Sequence, residues 1–340
     1  MTWSKPKARV PNAAALALLL ASLLGARAAA TPDLDDLYPV RADGKVGYIN
    51  AHGRMIIAPQ WPAGEKFYLG RAVVRIKGLD GYIDTRGRVV IAAKYIWADP
   101  FSEGLARVKY RGRVGYIDRK GRLSIYPRYD ELSRSFSQGL AAVRVKRRYG
   151  YIDRQGRRVI APRYSGAKSF SEGRAAVERR RRWGYIDRKG RVAIPFRFAR
   201  AEPFSQGLAA VRWRRGRSGR SLFGFIDIRG RMVIRPTWVQ AGTFHQDRAS
   251  IKVQGRFGFI DRNGAIVIKP RFLAVGPFSA GLAAVQDGPR WGFIDRDGRL
   301  VIKPRFDKAY AFRGKLAVVQ LASKRSAYID RRGKIVWRER

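Results

Sequence analysis

Residues 183–192 read Trp183-Gly184-Tyr185-Ile186-Asp187-Arg188-Lys189-Gly190-Arg191-Val192, and the same wording returns along the whole chain. A glycine, an aromatic, an isoleucine, an acid or amide, and a second glycine six places on begin at Gly47, Gly81, Gly115, Gly150, Gly184, Gly224, Gly258 and Gly292. A ninth copy has Ala327 in the first glycine's place, followed by Tyr328-Ile329-Asp330 and Gly333. Successive copies are 34, 34, 35, 34, 40, 34, 34 and 35 residues apart. A sustained period of this size marks a tandem array, in which each unit buries its apolar face against its neighbours.

The fourth unit shows the internal plan. Gly139-Leu140-Ala141-Ala142-Val143-Arg144-Val145 is short and apolar, and Lys146-Arg147-Arg148 interrupts it. Tyr149-Gly150-Tyr151-Ile152-Asp153 follows, then Arg154-Gln155-Gly156, then Arg157-Arg158-Val159-Ile160. Three short strands joined by tight turns form a β-meander, about the smallest sheet able to bury a face. The second turn, Asp-x-x-Gly, suits a type I turn closed by a left-handed glycine: the Asp side chain accepts from its own turn backbone, and Gly tolerates positive φ. The Asp is read as a turn former; its neighbours are mostly Arg and Lys, whereas a calcium ligand would need further oxygens.

A proline and an aromatic two places on follow the third strand, as in Pro127/Tyr129 and Pro270/Phe272; Pro has no N–H to donate and ends the ladder. A second aromatic recurs at Phe67, Phe101, Phe136, Phe170, Phe204, Phe244, Phe278 and Phe312. These read as core anchors rather than ligand platforms, because burying each contributes a few kcal/mol, about 2–3. Pro195 stands one place early in the fifth unit, which predicts a local register change. The array begins with a strand at Leu37 to Arg41 and runs to Trp337. The expected fold is therefore all-β, a tandem array of about nine three-stranded meanders with a period of about 34. Such an array is propeller-like or winds as an open superhelix; propeller blades commonly have four strands and roughly 40 residues, which keeps the open form in play.

The first thirty residues stand apart. Lys5, Lys7 and Arg9 precede an apolar run from Ala13 to Leu24, and Ala28-Ala29-Ala30 supplies an Ala-x-Ala site. That layout predicts a secretory signal over 1–30, cleaved before Thr31, with the repeat array as one domain over 31–340. Cleavage after Ala28 fits as well. The apolar run is short for a bilayer span, and no later stretch is long enough, so no transmembrane segment is expected after cleavage. The destination is the periplasm or the cell exterior.

Charge narrows the partners. The net charge is +45, and Lys5, Lys7, Arg9 and Arg27 carry four of those units, leaving +41 beyond residue 30. Such a field disfavours self-association and attracts polyanions. The alternative is that Arg simply fills solvent-facing positions. Arg179, Arg180, Arg181 and Arg182 stand ahead of Trp183, and Arg144 to Arg148 ahead of Tyr149, a mixture of cations and aromatics used on single-stranded nucleic acid. The 40-residue spacing arises from six extra residues in the hairpin after Val211, where Arg212, Trp213, Arg214, Arg215, Arg217 and Arg220 gather. These hairpins are the candidate polyanion-binding sites; in register they would form one basic stripe, and solvated tips are the competing reading.

Catalytic chemistry is poorly represented. The chain has two histidines and no cysteine, which excludes Cys nucleophiles and disulfides. His52 occupies a turn position and His245 follows Phe244 in a loop, neither beside a metal-ligand cluster. Glu65, Glu103, Glu172 and Glu202 are spread one per unit. No nucleophile elbow or phosphate-cradling loop appears. No enzyme activity and no cofactor or metal are expected.

The Trp-Gly pairs at 183–184 and 291–292, the Gly-[Tyr/Phe]-Ile-Asp-x-x-Gly core, the Ile-x-Pro-x-[Tyr/Phe] sequel and the Phe-Ser-x-Gly-Leu-Ala-x-Val segment resemble WG repeats. The resemblance covers residue 37 to the end, although Val46, Asp80, Val114, Tyr149, Phe223 and Phe257 replace the Trp. It implies a bacterial β-repeat module, often exported, and brings no catalytic residue with it. The combined expectation is an exported noncatalytic scaffold that binds an anionic envelope polymer or a partner protein, with peripheral membrane contact compatible. Extracellular nucleic-acid binding is the second reading, and a cell-wall glycan hydrolase the third.

Overall fold

The computed structural model describes residues 37–130, 132–214 (the side chain of Arg214 excepted) and 221–339, all within the compact unit Asp35–Arg340. The signal reading over 1–30 lies outside the described residues. Nine small antiparallel sheets follow one another, and no helix occurs among the described residues. The second is representative: Ala72–Ile76, Leu79–Ile83 and Val89–Tyr95 are the expected meander, preceded by the two-residue strand Ala63–Gly64. Seven sheets carry this extra strand; the first and fourth have three strands among the described residues.

The sheets close into a ring, a nine-bladed propeller. Tyr38 of the first blade stacks edge-on against Tyr328 of the last at 5.5 Å. Tyr328 Oη donates to the Pro39 carbonyl at 2.9 Å, and Tyr38 Oη accepts from Lys315 N–H at 3.1 Å. Tyr38, Val40 and Ile49 share a core with Leu316 and Tyr328. The open superhelix is thereby set aside.

The core lies between blades. Tyr151 and Ile160 of the fourth blade pack with Phe170, Ala175 and Val177 of the fifth, and the other joints repeat the pattern. At each joint a tyrosine or phenylalanine meets the next blade's phenylalanine at about 4.9 Å, as Tyr151 meets Phe170 and Phe225 meets Phe244. All eight of those phenylalanines are buried, as expected. Tyr38 takes the same role at the closure.

Both turn types follow from the residues. In the second turn, Gly87 N–H donates to the Asp84 carbonyl at 2.9 Å, and Asp84 Oδ1 accepts from the Arg86 and Arg88 N–H groups at 3.0 Å. Gly87 has φ +81°. In the first five blades and the seventh the first turn is a two-residue hairpin with both centre residues at positive φ, such as Lys77 (49°) and Gly78 (82°), the signature of a type I′ turn.

One expectation is corrected. Pro195 causes no register change: Trp183 pairs with Phe198, Tyr185 with Ile194 and Ile186 with Val192, matching Asp80 with Tyr95, Tyr82 with Ile91 and Ile83 with Val89. The outer strand is an edge strand with a bulge in this stretch, and there a missing N–H breaks no ladder bond.

Candidate polyanion-binding face

In an up-and-down meander successive turns alternate between the two ends of the strands. All first hairpins therefore lie on one face of the ring, and all Asp-x-x-Gly turns on the other. Around the first-hairpin face, charge is uneven. Residues 144–148 supply four basic side chains, 179–182 four and 212–220 five, in three consecutive blades. In the eighth blade, Asp287-Gly288-Pro289-Arg290 is electrically neutral.

The hairpins of the fourth and fifth blades depart from their siblings in backbone as well as charge. Gly44, Gly78, Gly112 and Gly255 hold the second centre position in four other blades. Arg147 (φ 66°) and Arg181 (φ 59°) hold it here, after Lys146 (46°) and Arg180 (50°). A left-handed non-glycine residue costs roughly 1–2 kcal/mol, so these tips carry strain that Gly would relieve.

Among the described residues their charges are not neutralised. Lys146, Arg147, Arg148, Arg179, Arg180, Arg181 and Arg182 are exposed and make no ion pair among the described residues. The opposite face is different: Arg88, Arg122, Arg157, Arg191 and Arg231 each pair with the Asp four places earlier at 2.6–2.8 Å. Burial pushes the carboxyls of Asp84, Asp118, Asp153, Asp187 and Asp227 upward; hydrogen bonds from backbone N–H groups and the paired arginine outweigh it and hold them below the usual range.

The aromatics of this sector are already covered. The Arg179 guanidinium lies 4.4 Å above Phe196, Arg144 lies 5.8 Å from Tyr149, and Arg212 lies 5.9 Å from Phe223. Trp183 is half-buried under Lys168. Trp213 is half-buried too: its ring meets Phe198 edge-on at 5.5 Å, and Arg197 covers it at 5.3 Å. Arg212 is exposed, and its Nε donates to the Ser221 carbonyl at 3.3 Å. Arg214 ends the strand Leu208–Arg214, while Arg215, Arg217 and Arg220 lie outside the described residues.

The structure thus brings Arg179–Arg182 and Arg212 onto one face in neighbouring blades. It places Lys146, Arg147 and Arg148 of the other expected hairpin on the same face, and adds beside them a groove of about 410 Å³ between the third and fourth blades. Arg113, Arg128, Arg144 and Lys146 line it against the single acid Asp130, which Arg144 meets at 3.4 Å. The missing glycine at Arg147 and Arg181 is the sequence signal that singles these hairpins out.

Neither histidine sits in a reactive setting. Asn50 Oδ1 accepts the His52 backbone N–H, and His245 Nε2 lies 2.9 Å from Thr243 Oγ1. Among the described residues no three His, Asp or Glu side chains converge as a metal-ligand set.

No curated protein matches the chain in sequence. Among solved structures, one described as the eukaryotic initiation factor aligns over 90% of this chain and 96% of its own, with a TM-score of 0.63 and 11% identity, a likeness of fold alone. BamB from Moraxella catarrhalis aligns over 77% of this chain and 94% of its own, with a TM-score of 0.45 and 11% identity. The sequence pattern described as WG containing repeat matches eight times, at residues 47–79, 81–113, 115–147, 149–180, 183–212, 223–256, 257–288 and 291–324, leaving the unit with Ala327 unmatched. With repeats covering most of its length, the chain belongs to the WG-repeat family.

Proposed function

We propose that this protein is an exported, noncatalytic scaffold, periplasmic or extracellular, that holds a linear anionic polymer of the cell envelope across the first-hairpin face of its fourth to sixth blades. The observation that carries this reading is the run of unpaired cations on consecutive hairpin tips, with Arg147 and Arg181 kept in a backbone conformation where sibling hairpins have Gly. A polymer bound through its charges needs a row of cations and no shaped pocket. Recognition of unstacked bases needs open aromatic faces. The rings of this sector lie under the protein's own arginines, which favours charge over base stacking.

The test is binding of the purified protein to lipoteichoic acid and to lipopolysaccharide across a salt series. Affinity falls as salt rises, and the double variant Arg147→Gly, Arg181→Gly lowers the slope of log affinity against log salt by about 2, roughly one per lost contact. Both substitutions fit the turn, so the variant keeps the parent's melting temperature or exceeds it. Salt-independent binding, or an unchanged slope in the variant, would refute the reading. Tighter binding to single-stranded DNA than to either polymer would favour the nucleic-acid alternative.

A further inference from the structure

The face opposite the basic hairpins has a rim of different chemistry. Each blade's outer strand starts directly after the Asp-x-x-Gly turn, so its first two side chains stand at the perimeter of that face. Val89–Val90, Ile266–Val267 and Leu300–Val301 occupy these places and are 37–50% exposed. Met55–Ile56 and Met232–Val233 hold them in the first and sixth blades, again exposed. The third residue of each strand, such as Ile91 or Ile268, turns into the core.

The pairs are not spread evenly. The third blade has Leu123-Ser124 at these places and the fourth Arg158-Val159. Val159 and Val192 of the fourth and fifth blades are exposed singly, beside Arg158 and the small Ala193, so the paired apolar rim follows an arc from the sixth blade through the closure to the second, with Ile335 of the ninth blade inside it. Single exposed apolar residues are ordinary; a pair repeated at one height in neighbouring blades makes a patch.

Cations border the patch. Arg54, Arg88, Arg231, Arg299 and Lys334 each stand one place ahead of its apolar residues. Asp84 and Asp227 neutralise Arg88 and Arg231, but Arg86 and Arg229 in the same turns have no carboxylate partner among the described residues. We propose that this perimeter docks on an anionic phospholipid bilayer. The apolar pairs enter the headgroup region while the turn cations meet lipid phosphates. Charge decides the occupant: a chain of net +45 repels a second copy of itself, whereas an anionic leaflet complements the cations and accepts the methyl groups between them. The inference does not rest on polymer binding; if both hold, the two faces couple membrane to polymer.

The experiment is co-sedimentation of the full chain with vesicles of phosphatidylcholine alone and of phosphatidylcholine mixed equally with phosphatidylglycerol. The parent binds the anionic vesicles and leaves the neutral ones. The variant Val89→Ser, Val90→Ser, Ile266→Ser, Val267→Ser partitions about tenfold less, equivalent to about two buried methylene groups. A variant with Val90→Trp and Val267→Trp partitions more strongly and shows a blue-shifted emission on binding, a readout that stands even if the serine variant folds poorly. Arg147→Gly, Arg181→Gly leaves vesicle binding as in the parent. Equal binding of the rim variants and the parent would overturn the proposal. So would failure of the parent on anionic vesicles, loss of binding in the hairpin variant alone, or a concentration-dependent dimer that the serine variant abolishes.

Discussion

Replacing Gly184 by Ala tests why the first glycine of the repeat is there. A Cβ on Gly184 would stand 2.7 Å from the Ile194 carbonyl oxygen and 3.0 Å from the Phe196 nitrogen; at Gly150 and Gly258 the approach to the matching carbonyl is 2.4 and 2.3 Å. None of the three has positive φ, so the demand is steric and comes from backbone that cannot swing aside. Its origin is the outer strand. Trp183 pairs with Phe198 and Tyr185 with Ile194, so residues 195–197 bulge over Gly184 instead of pairing with it. The ninth blade supplies the control. Ala327 pairs with Arg338 and Tyr328 with Trp337 without interruption, and there a methyl group fits.

Overpacking against fixed backbone costs about 1–3 kcal/mol. The smaller unfolded-state entropy of Ala returns roughly 0.5–1 kcal/mol, leaving Gly184→Ala about 1–2 kcal/mol less stable. The reverse change, Ala327→Gly, removes a buried methyl worth about 0.8 kcal/mol and adds a comparable backbone entropy. Opposite substitutions at equivalent places are therefore both destabilising. Urea titration followed by tryptophan fluorescence gives the midpoints, and hydrogen exchange at Tyr185 and Ile194 locates the damage. An unchanged midpoint and unchanged protection in Gly184→Ala would refute the steric account.

Three further outcomes are expected. Tyr151→Phe removes the 2.8 Å hydrogen bond that Tyr151 Oη donates to the Lys168 carbonyl across a blade joint, lowering stability by about 1 kcal/mol in the same titration. The turn aspartates have depressed values in the fold, so their stabilisation is complete above the unfolded carboxylate pKa of about 4 and is lost as pH falls through the lower folded values. The melting temperature should drop below about pH 4, less steeply in Asp187→Asn. Lys66, beside the Tyr38 ring at the closure, is brought down to about 8 by burial and by repulsion from Arg313. Its folded value lies below its unfolded one, so stability rises as pH climbs from about 8 towards 10.5. Limited acylation near the lower value, mapped by mass spectrometry, should label Lys66 ahead of Lys120; equal labelling would contradict this.

The repeat made much of the fold legible. Period, the three-stranded meander, the Asp-x-x-Gly turn and the buried phenylalanines all followed from patterns that recur eight or nine times, and recurrence separates a rule from an accident. The inner strand was hidden because Ala63–Gly64 and its counterparts are two residues long and compositionally ordinary. Closure was hidden for another reason. It depends on Tyr38 acting where other joints use a phenylalanine, in contacts between residues some 290 apart in the chain that no local period encodes. Pro195 misled because a shifted proline was weighed without knowing that its strand was an edge.

The candidate site divides along the same line. Arg179 to Arg182 stand out by charge, but basic residues are common in many turns of this chain; what separates one basic turn from another is partnering and backbone cost. The Asp-x-x-Gly turns bring their own carboxylates, so much of their arginine is committed to the turn. The fourth and fifth hairpins bring none, and they place Arg147 and Arg181 where Gly would relieve strain. A charge held at a cost to the fold, with no partner among the described residues, points outward. Trp213 fails that test although it looked equally suggestive in sequence: Phe198 and Arg197 already occupy its ring. The same criterion applies to the rim, where Val89, Val90, Ile266 and Val267 sit exposed one step from the buried Ile91 and Ile268. Exposure there does nothing for the inter-blade core, which is why vesicle binding, and not stability, is the measurement that bears on it.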